Sequence, residues 1–127
     1  MIVVDTSALM AIAQDEPEAD AFRKVLAVEV EVLISAATVA EAMVVAGRRN
    51  LAEQMTRLID GLGPRVIPVT AASAARVANA YARWGKGVHP AGLNFGDCFA
   101  YALAEEYGCP LLFVGRDFAR TDVRPAC

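Results

Sequence analysis

The stretch Met1-Ile2-Val3-Val4-Asp5-Thr6-Ser7-Ala8 joins a short apolar run to a second apolar segment through a single acid. Residues 2–5 are typical of a short buried strand, because the apolar run is brief and is bounded by capping residues. Thr6 or Ser7 is a suitable N-cap for the helix that follows. The stretch therefore predicts a strand that passes directly into a helix, with a carboxylate at the junction.

Further apolar runs predict strands at residues 30–35, 66–69 and 111–114, and Asp122-Val123-Arg124 is a candidate for a short fifth strand. Helices are predicted between them, at about residues 18–28, 37–48, 50–62, 71–84 and 94–107. Continuously apolar strands that alternate with helices indicate a parallel sheet covered on both faces. We therefore predict an α/β fold: three α/β/α layers around a mainly parallel sheet of four to five strands. Residues 1–127 are long enough for one such domain.

Polar residues that can cap a helix precede four of these predicted helices. Three of them are expected to act as simple N-caps, and Asn50 with Glu53 is a variant of the capping box. The predicted caps are Ser35, Asn50, Thr70 and Asn94.

Four acids stand where their neighbours predict the core or its edge: Asp5, Glu41, Asp97 and Asp117. A lone buried carboxylate costs several kcal/mol unless it is paired or binds a metal. Ligands bind at the carboxyl ends of the strands in sheets of this type. We therefore expect all four side chains to gather at one edge of the sheet, around a shared cation.

The residue types at this predicted site favour Mg²⁺, with Mn²⁺ as a substitute. Carboxylate oxygens suit hard cations, whereas one histidine and three scattered cysteines make a zinc site a poor match. A carboxylate-held ion can activate water and neutralise a phosphodiester. The pattern therefore predicts a magnesium-dependent nuclease that hydrolyses its substrate with a metal-activated water.

Charge and composition constrain the partner and the compartment. The net charge of −3 at first argues against a nucleic-acid partner, but bound Mg²⁺ would supply positive charge where a phosphate must sit. Three cysteines without a C-x-x-C pair fit a reducing cytosol. No signal peptide and no apolar stretch of about 18 residues is recognisable, so we expect a cytoplasmic protein without a membrane span.

The chain resembles the PIN-domain ribonucleases, and specifically the VapC-type toxins of bacterial toxin–antitoxin pairs. The resemblance spans essentially the whole chain and rests on four stretches: Val3-Val4-Asp5-Thr6-Ser7-Ala8, Ile34-Ser35-Ala36-Ala37-Thr38-Val39-Ala40-Glu41, Leu93-Asn94-Phe95-Gly96-Asp97-Cys98-Phe99-Ala100-Tyr101-Ala102-Leu103-Ala104 and Leu111-Leu112-Phe113-Val114-Gly115-Arg116-Asp117-Phe118. It implies a PIN-like fold, cleavage of RNA with Mg²⁺ or Mn²⁺, and catalytic and metal-binding roles for Asp5, Glu41, Asp97 and Asp117.

The same resemblance implies assembly and regulation. It implies a homodimer, for which residues 8–12, 18–28 and 50–62 are the expected contact surfaces. It also implies a cognate VapB-type antitoxin, expected to insert a basic side chain such as arginine among the carboxylates. Such a cation would replace the charge of the metal.

Arg116 departs from the family pattern, because relatives often carry a second acid or an asparagine after the glycine. Either Asp117 alone serves as the fourth acid, or the site has three strong ligands and Arg116 contacts a phosphate. The departure affects a second metal ion more than the first. Thr6, Ser7 and Asn94 are expected to support the site, as caps or by positioning a water.

Structural roles remain open for each acid taken singly. Asp5 could be a helix N-cap, Glu41 could be satisfied by a serine or Arg48, and Asp97 could complement a helix dipole. Asp117 could have a structural role in its Gly-Arg-Asp turn. Three other functions also remain open: a housekeeping PIN nuclease of RNA maturation, a catalytically silent PIN module, and a phosphoacceptor receiver domain. The receiver is disfavoured because its paired acids after the first strand and its lysine after the late strand are missing.

Overall fold

A computed structural model describes all 127 residues and contains four strands and six α-helices. The strands are β1 (Ile2–Val4), β2 (Val32–Ser35), β3 (Arg65–Ile67) and β4 (Leu111–Leu112). The helices are α1 (Thr6–Ala13), α2 (Ala19–Val28), α3 (Ala36–Arg48), α4 (Ala52–Leu62), α5 (Ala71–Trp84) and α6 (Phe95–Tyr107), and a 3₁₀-helix covers Phe118–Arg120. None of these helices has the length and apolarity needed to span a bilayer.

The four strands form one parallel sheet in the order β3-β2-β1-β4. Val3 is in register with Leu33 of β2 on one side and with Leu111 of β4 on the other. The chain moves outward from β1 to β2 and β3, and then returns to add β4 on the opposite side. This reversal creates a crevice at the carboxyl ends of β1 and β4, which is where ligands bind in open parallel sheets.

Helices cover both faces of the sheet, as the continuously apolar strands predict. Ile2 and Val4 pack on one face with α1 to α4, whereas Val3 packs on the other face with α5 and α6. Successive strand residues point to opposite faces, so one three-residue strand serves both cores. The predicted three-layer α/β/α fold is confirmed.

The predicted fifth strand is wrong. Asp122-Val123-Arg124 forms no strand, and only an isolated bridge joins Leu111 to Pro125. All four strands also differ from their predicted bounds: β1 ends at Val4, β2 begins at Val32, β3 is Arg65–Ile67 and β4 ends at Leu112. β4 pairs with β1, whose last residue Val4 is opposite Leu112, so the predicted second half of β4, Phe113 and Val114, has no strand residues to pair with.

Three of the predicted helix caps are confirmed: Ser35, Thr70 and Asn94 accept hydrogen bonds from the first turns of α3, α5 and α6. The cap of α1 is instead Asp5, and not Thr6 or Ser7. The capping role of Asn50 is also wrong, because α4 begins at Ala52 and Leu51 occupies its N-cap position. Asn50 adopts a left-handed backbone (φ 57°), which asparagine tolerates better than most residues.

One expected dimer surface is excluded by packing. Residues 8–12 of α1 are all buried in the core, so they cannot contact a second copy of the chain. The surfaces on α2 and α4 remain exposed on their outer faces. The surfaces on α2 and α4 are therefore the two expected dimer contacts that the fold allows.

Replacing Thr70 by alanine should lower the free energy of unfolding by about 1 kcal/mol. Thr70 Oγ1 accepts from the Ser73 amide at 3.2 Å, and the Ser73 hydroxyl completes the capping box. Urea denaturation measures the change. Thr56→Ala is the matched control, because Thr56 is exposed inside α4 and should change stability by less than about 0.5 kcal/mol. Equal effects of both substitutions would contradict the capping role.

Candidate active site

Asp5 lies at the junction of β1 and α1 and is only 3% exposed. Its Oδ2 accepts hydrogen bonds from the Ser7 amide at 3.0 Å and from the Ser7 hydroxyl at 2.6 Å. Its Oδ1 is buried and has no hydrogen-bond partner in the protein. Burial raises the pKa of Asp5 to about 6, although the bonds from Ser7 oppose this shift. One oxygen of Asp5 therefore caps the helix, and the other is left for a ligand.

Ser7 links this junction to the end of β4. Its hydroxyl donates to Asp5 and accepts a hydrogen bond from the Val114 amide at 3.0 Å. Residue 114 follows β4, so the serine joins two neighbouring strands at their carboxyl ends. It thereby fixes the orientation of Asp5 relative to the opening of the crevice.

Glu41 projects from α3 toward the same junction. Thr6 Oγ1 donates to Glu41 Oε1 at 2.6 Å. The other side of the carboxylate lies against Gly96 in the first turn of α6, where a Cβ atom would overlap Glu41 Oε2. Thr6, and not a serine or Arg48, is therefore the partner of Glu41. The space left by the missing side chain of Gly96 admits the carboxylate between the two helices.

Asp97 is half-buried in the first turn of α6. Its Oδ2 accepts from the Asn94 amide at 2.9 Å, and Asn94 Oδ1 accepts from the Asp97 amide at 2.8 Å. Burial, together with the charges of Asp5, Glu41 and Asp117, raises the pKa of Asp97 to about 7, although the hydrogen bond from the Asn94 amide opposes this shift. Carboxylates from three other parts of the chain therefore lie near enough to Asp97 to affect its pKa.

These side chains line a cleft of about 320 Å³ at the carboxyl edge of the sheet. Six predicted site residues meet there: Asp5, Thr6, Ser7, Glu41, Asn94 and Asp97. The remaining lining residues are Met10, Gln14, Glu16, Val45, Arg49 and Val114. Asp117 and Arg116 are exposed in the segment after β4 and do not line this cleft. Asp117 is nevertheless near enough for its charge to raise the pKa of Asp97.

The cleft offers the donor chemistry of a hard cation. Its acids present carboxylate oxygens, and the buried, unpartnered Oδ1 of Asp5 is the atom that most needs a cation or a proton. In the structure no three acidic, histidine or cysteine side chains converge tightly enough to hold an ion by themselves. Mg²⁺ keeps several of its waters when bound, so the side chains present fit a hydrated ion held partly through water.

Two features of the site were not predicted from the sequence. Gly96 is one, and its signal is a glycine in the first turn of a helix, where it is unfavourable relative to alanine. Arg49 is the other, and its signal is the spacing Glu41-Val45-Arg49, which places all three on one helix face. The contact of Ser7 with Val114 has no sequence signal, because it joins residues 107 positions apart.

Comparisons with known proteins identify relatives of this chain. The family model described as the PIN domain matches residues 2–124. A relative named ribonuclease VapC42, from Mycobacterium tuberculosis, is 41% identical over 130 residues, which cover 99% of each chain. A crystal structure of M. tuberculosis VapC20, described as a toxin that cleaves the sarcin-ricin loop, has a TM-score of 0.78 at 19% identity and covers 97% of this chain and 96% of that one. A toxin-antitoxin complex from Klebsiella pneumoniae has a TM-score of 0.71 at 21% identity, with coverage of 96% and 93%.

The metal-free protein should lose stability as pH rises from about 4 to 7. Folding raises the pKa of Asp5 from 3.8 to about 6, so the folded state binds more protons in this range and its stability falls as they leave. Asp5→Asn removes this titration, so its stability relative to the wild type should rise with pH, by up to about 3 kcal/mol near pH 8. Urea titrations in EDTA measure the difference, and exposed Asp60→Asn should show no such trend.

Gly96→Ala should displace the Glu41 carboxylate while leaving the fold intact, because the new methyl group occupies the position of Glu41 Oε2. We expect weaker binding of Mn²⁺, measured as a smaller increase in melting temperature at the same ion concentration. Gly47→Ala is the control, because it adds the same methyl group to α3 where nothing lies within 4 Å. Undiminished Mn²⁺ binding by Gly96→Ala would refute the role of this close approach.

Proposed function

Because this chain belongs to the PIN-domain family and its relatives are named VapC ribonucleases, we propose that it is a metal-dependent endoribonuclease and the toxin of a VapBC-type pair. The observation that carries the proposal is the meeting of Asp5, Glu41 and Asp97 around one cleft at the carboxyl edge of the sheet. Three carboxylates crowded into one cleft repel one another, and a divalent cation is what makes such a cluster favourable.

We propose that Asp5, Glu41 and Asp97 hold Mg²⁺, or Mn²⁺ in its place. The ion would supply positive charge to the phosphodiester and activate the attacking water. The protein supplies orientation: Ser7 fixes Asp5, Thr6 fixes Glu41, and Asn94 fixes Asp97, each through a hydrogen bond of 3.0 Å or less. Supporting bonds of this kind hold ligands in place, and their loss typically weakens metal binding or activity about 10–100-fold.

Asp117 enters the proposal as a fourth acid with a weaker role. It lies outside the cleft and is exposed, but its charge acts on Asp97. Arg116 is exposed beside it, and we propose that its guanidinium meets a phosphate of the RNA instead of acting near the ion. With an arginine at this position, one tightly held ion is the expected arrangement.

The partner of the toxin is proposed from its relatives and from the charge of the cleft. A fold neighbour from K. pneumoniae is a toxin-antitoxin complex. A VapB-type antitoxin would block this cleft by placing an arginine among the carboxylates, since a guanidinium can bind carboxylates bidentately. We further propose a homodimer formed through exposed surfaces of α2 or α4, and a cytoplasmic location, in keeping with three free cysteines.

Purified protein should cleave RNA with Mg²⁺ or Mn²⁺ and lose this activity in EDTA, because its proposed ligands are all hard oxygens. Attack by water with departure of the ribose 3′-oxygen leaves 5′-phosphate and 3′-hydroxyl ends, and end-specific sequencing of the products identifies them. Full activity in EDTA, or 2′,3′-cyclic phosphate ends, would refute the mechanism.

The same assay ranks the acids. Asp5→Asn, Glu41→Gln and Asp97→Asn should each lower the cleavage rate by roughly 100-fold or more without unfolding the protein. Asp117→Asn should have a smaller effect, because Asp117 is exposed outside the cleft. Exposed Asp60→Asn on α4 is the control and should cleave like the wild type. An Asp5→Asn protein that unfolds instead would assign Asp5 a purely structural role.

Expression of the protein alone should arrest bacterial growth, and co-expression of a cognate short antitoxin should restore it. Growth curves with the wild type and with Asp5→Asn test this, because only the wild type should need the antitoxin. A protein that is harmless alone and still cleaves RNA in vitro would support a housekeeping nuclease. A folded protein that binds no divalent ion and cleaves nothing would support a silent PIN module.

A further inference from the structure

Arg49 is the one positively charged side chain among the twelve residues that line the catalytic cleft. It occupies the C-cap position of α3, the helix that carries Glu41. The cleft also contains Asp5, Glu16, Glu41 and Asp97, so its surroundings are strongly acidic. A lone arginine in such a cleft calls for an explanation beyond the solvation of a surface charge.

The spacing of residues along α3 separates the backbone of Arg49 from that of Glu41. Glu41, Val45 and Arg49 follow one another at spacings of four residues, and all three line the cleft. Two helical turns separate the arginine from Glu41, which is about 12 Å along the helix axis. Arg49 therefore follows Glu41 on one face of α3, toward the C-terminal end of the helix.

The guanidinium of Arg49 is oriented but not neutralised. Its Nη1 donates to Gln14 Oε1 at 3.0 Å, which is its one hydrogen bond. It forms no ion pair, although Glu16 and Glu41 line the same cleft. Most of the five N–H donors of the side chain remain free for a ligand. Gln14 thus orients the Arg49 guanidinium through one hydrogen bond and leaves its other N–H groups without partners.

An RNA substrate needs such a cation at this position. A divalent ion among the carboxylates would offset their charge where the phosphodiester is cleaved. The neighbouring phosphates of the RNA would still be repelled by the acidic residues that line the cleft. Arginine binds phosphate oxygens bidentately and is favoured for this geometry over lysine. Contacts to phosphates set the position of a nucleic acid without reading its sequence.

We propose that Arg49 is a substrate-positioning residue that binds a phosphate of the RNA flanking the one that is cleaved. This inference rests on the proposed function. It adds a direction for the strand, which runs along α3 from the carboxylates to the C-terminal end of the helix. Gln14, at the end of α1, holds the guanidinium ready for that phosphate.

The test compares Arg49→Gln and Arg49→Lys with Arg48→Gln. Arg48 is the matched control, because it is the neighbouring exposed arginine and does not line the cleft. The substrate is a labelled single-stranded RNA that contains the site mapped by sequencing wild-type cleavage ends in Mg²⁺. Initial rates are measured against RNA concentration at two salt concentrations, and melting temperatures are measured in parallel.

Arg49→Gln should raise KM about tenfold with little change in kcat, because a flanking phosphate is bound equally in the ground and transition states. The dependence of log affinity on log salt should weaken by about 0.7, as expected for one lost phosphate contact to a single strand. Arg49→Lys should lie between the glutamine variant and the wild type, and Arg48→Gln should match the wild type. Melting temperatures should be unchanged.

Four outcomes would overturn the inference. They are equal KM effects in the Arg48 and Arg49 variants, a fall in kcat alone, a lower melting temperature with unchanged KM, and unchanged KM and melting temperature in every variant. The third would make Arg49 a structural residue that holds Gln14, and the fourth would leave Arg49 without a part in substrate binding. If the wild type cleaves no RNA with either ion, the proposed function itself fails, and that result is distinct from all four.

Discussion

The burial of one carboxylate, Asp5, is the constraint on which the rest of the site depends. Placing it at the end of a central strand removes it from water, and its hydrogen bonds with Ser7 recover only part of that cost. One oxygen is used by the fold as a helix cap, and the other is left buried without a partner. The structural interpretation of Asp5 is therefore confirmed for one oxygen, and the other oxygen is free for the ligand role that we propose.

The two helical layers of the domain meet at this site. Glu41 belongs to α3, whose buried face packs with β1 on one side of the sheet, and Asp97 belongs to α6 on the other side. At the carboxyl edge of the sheet, side chains from both layers reach the same space. Thr6 and Gly96 set the distance between the layers there, one through a hydrogen bond and the other through the absence of a side chain.

Local signals in the sequence were sufficient for much of this arrangement. The apolar strands, the caps at Ser35, Thr70 and Asn94, and the acids at the ends of core elements could all be recognised from short stretches. The sharing of a cleft by Asp5, Glu41 and Asp97 followed from the rule that parallel strands bring their carboxyl ends together. These predictions depend on residues close in sequence, or on a general property of parallel sheets.

Features that depend on distant partners were not predictable in this way. The length of β4 depends on its single neighbouring strand, and the failure of Asn50 to cap α4 depends on the turn that its left-handed backbone makes after α3. Asp117 follows a strand just as Asp5 does, yet the chain after β4 carries it to the surface. Spacing alone could not show that Thr6 donates to Glu41.

Because a hydrogen bond joins Ser7 to Val114, the cleft can form only after both ends of the chain have been synthesised. The serine that orients Asp5 is made early, whereas its amide donor lies 107 residues later, after the last strand of the sheet. A ribosome-bound chain that has not yet released residue 114 lacks both this bond and one wall of the crevice. The cleft is therefore completed only after residue 114 has emerged, so the orientation of Asp5 depends on the last strand of the sheet to be made.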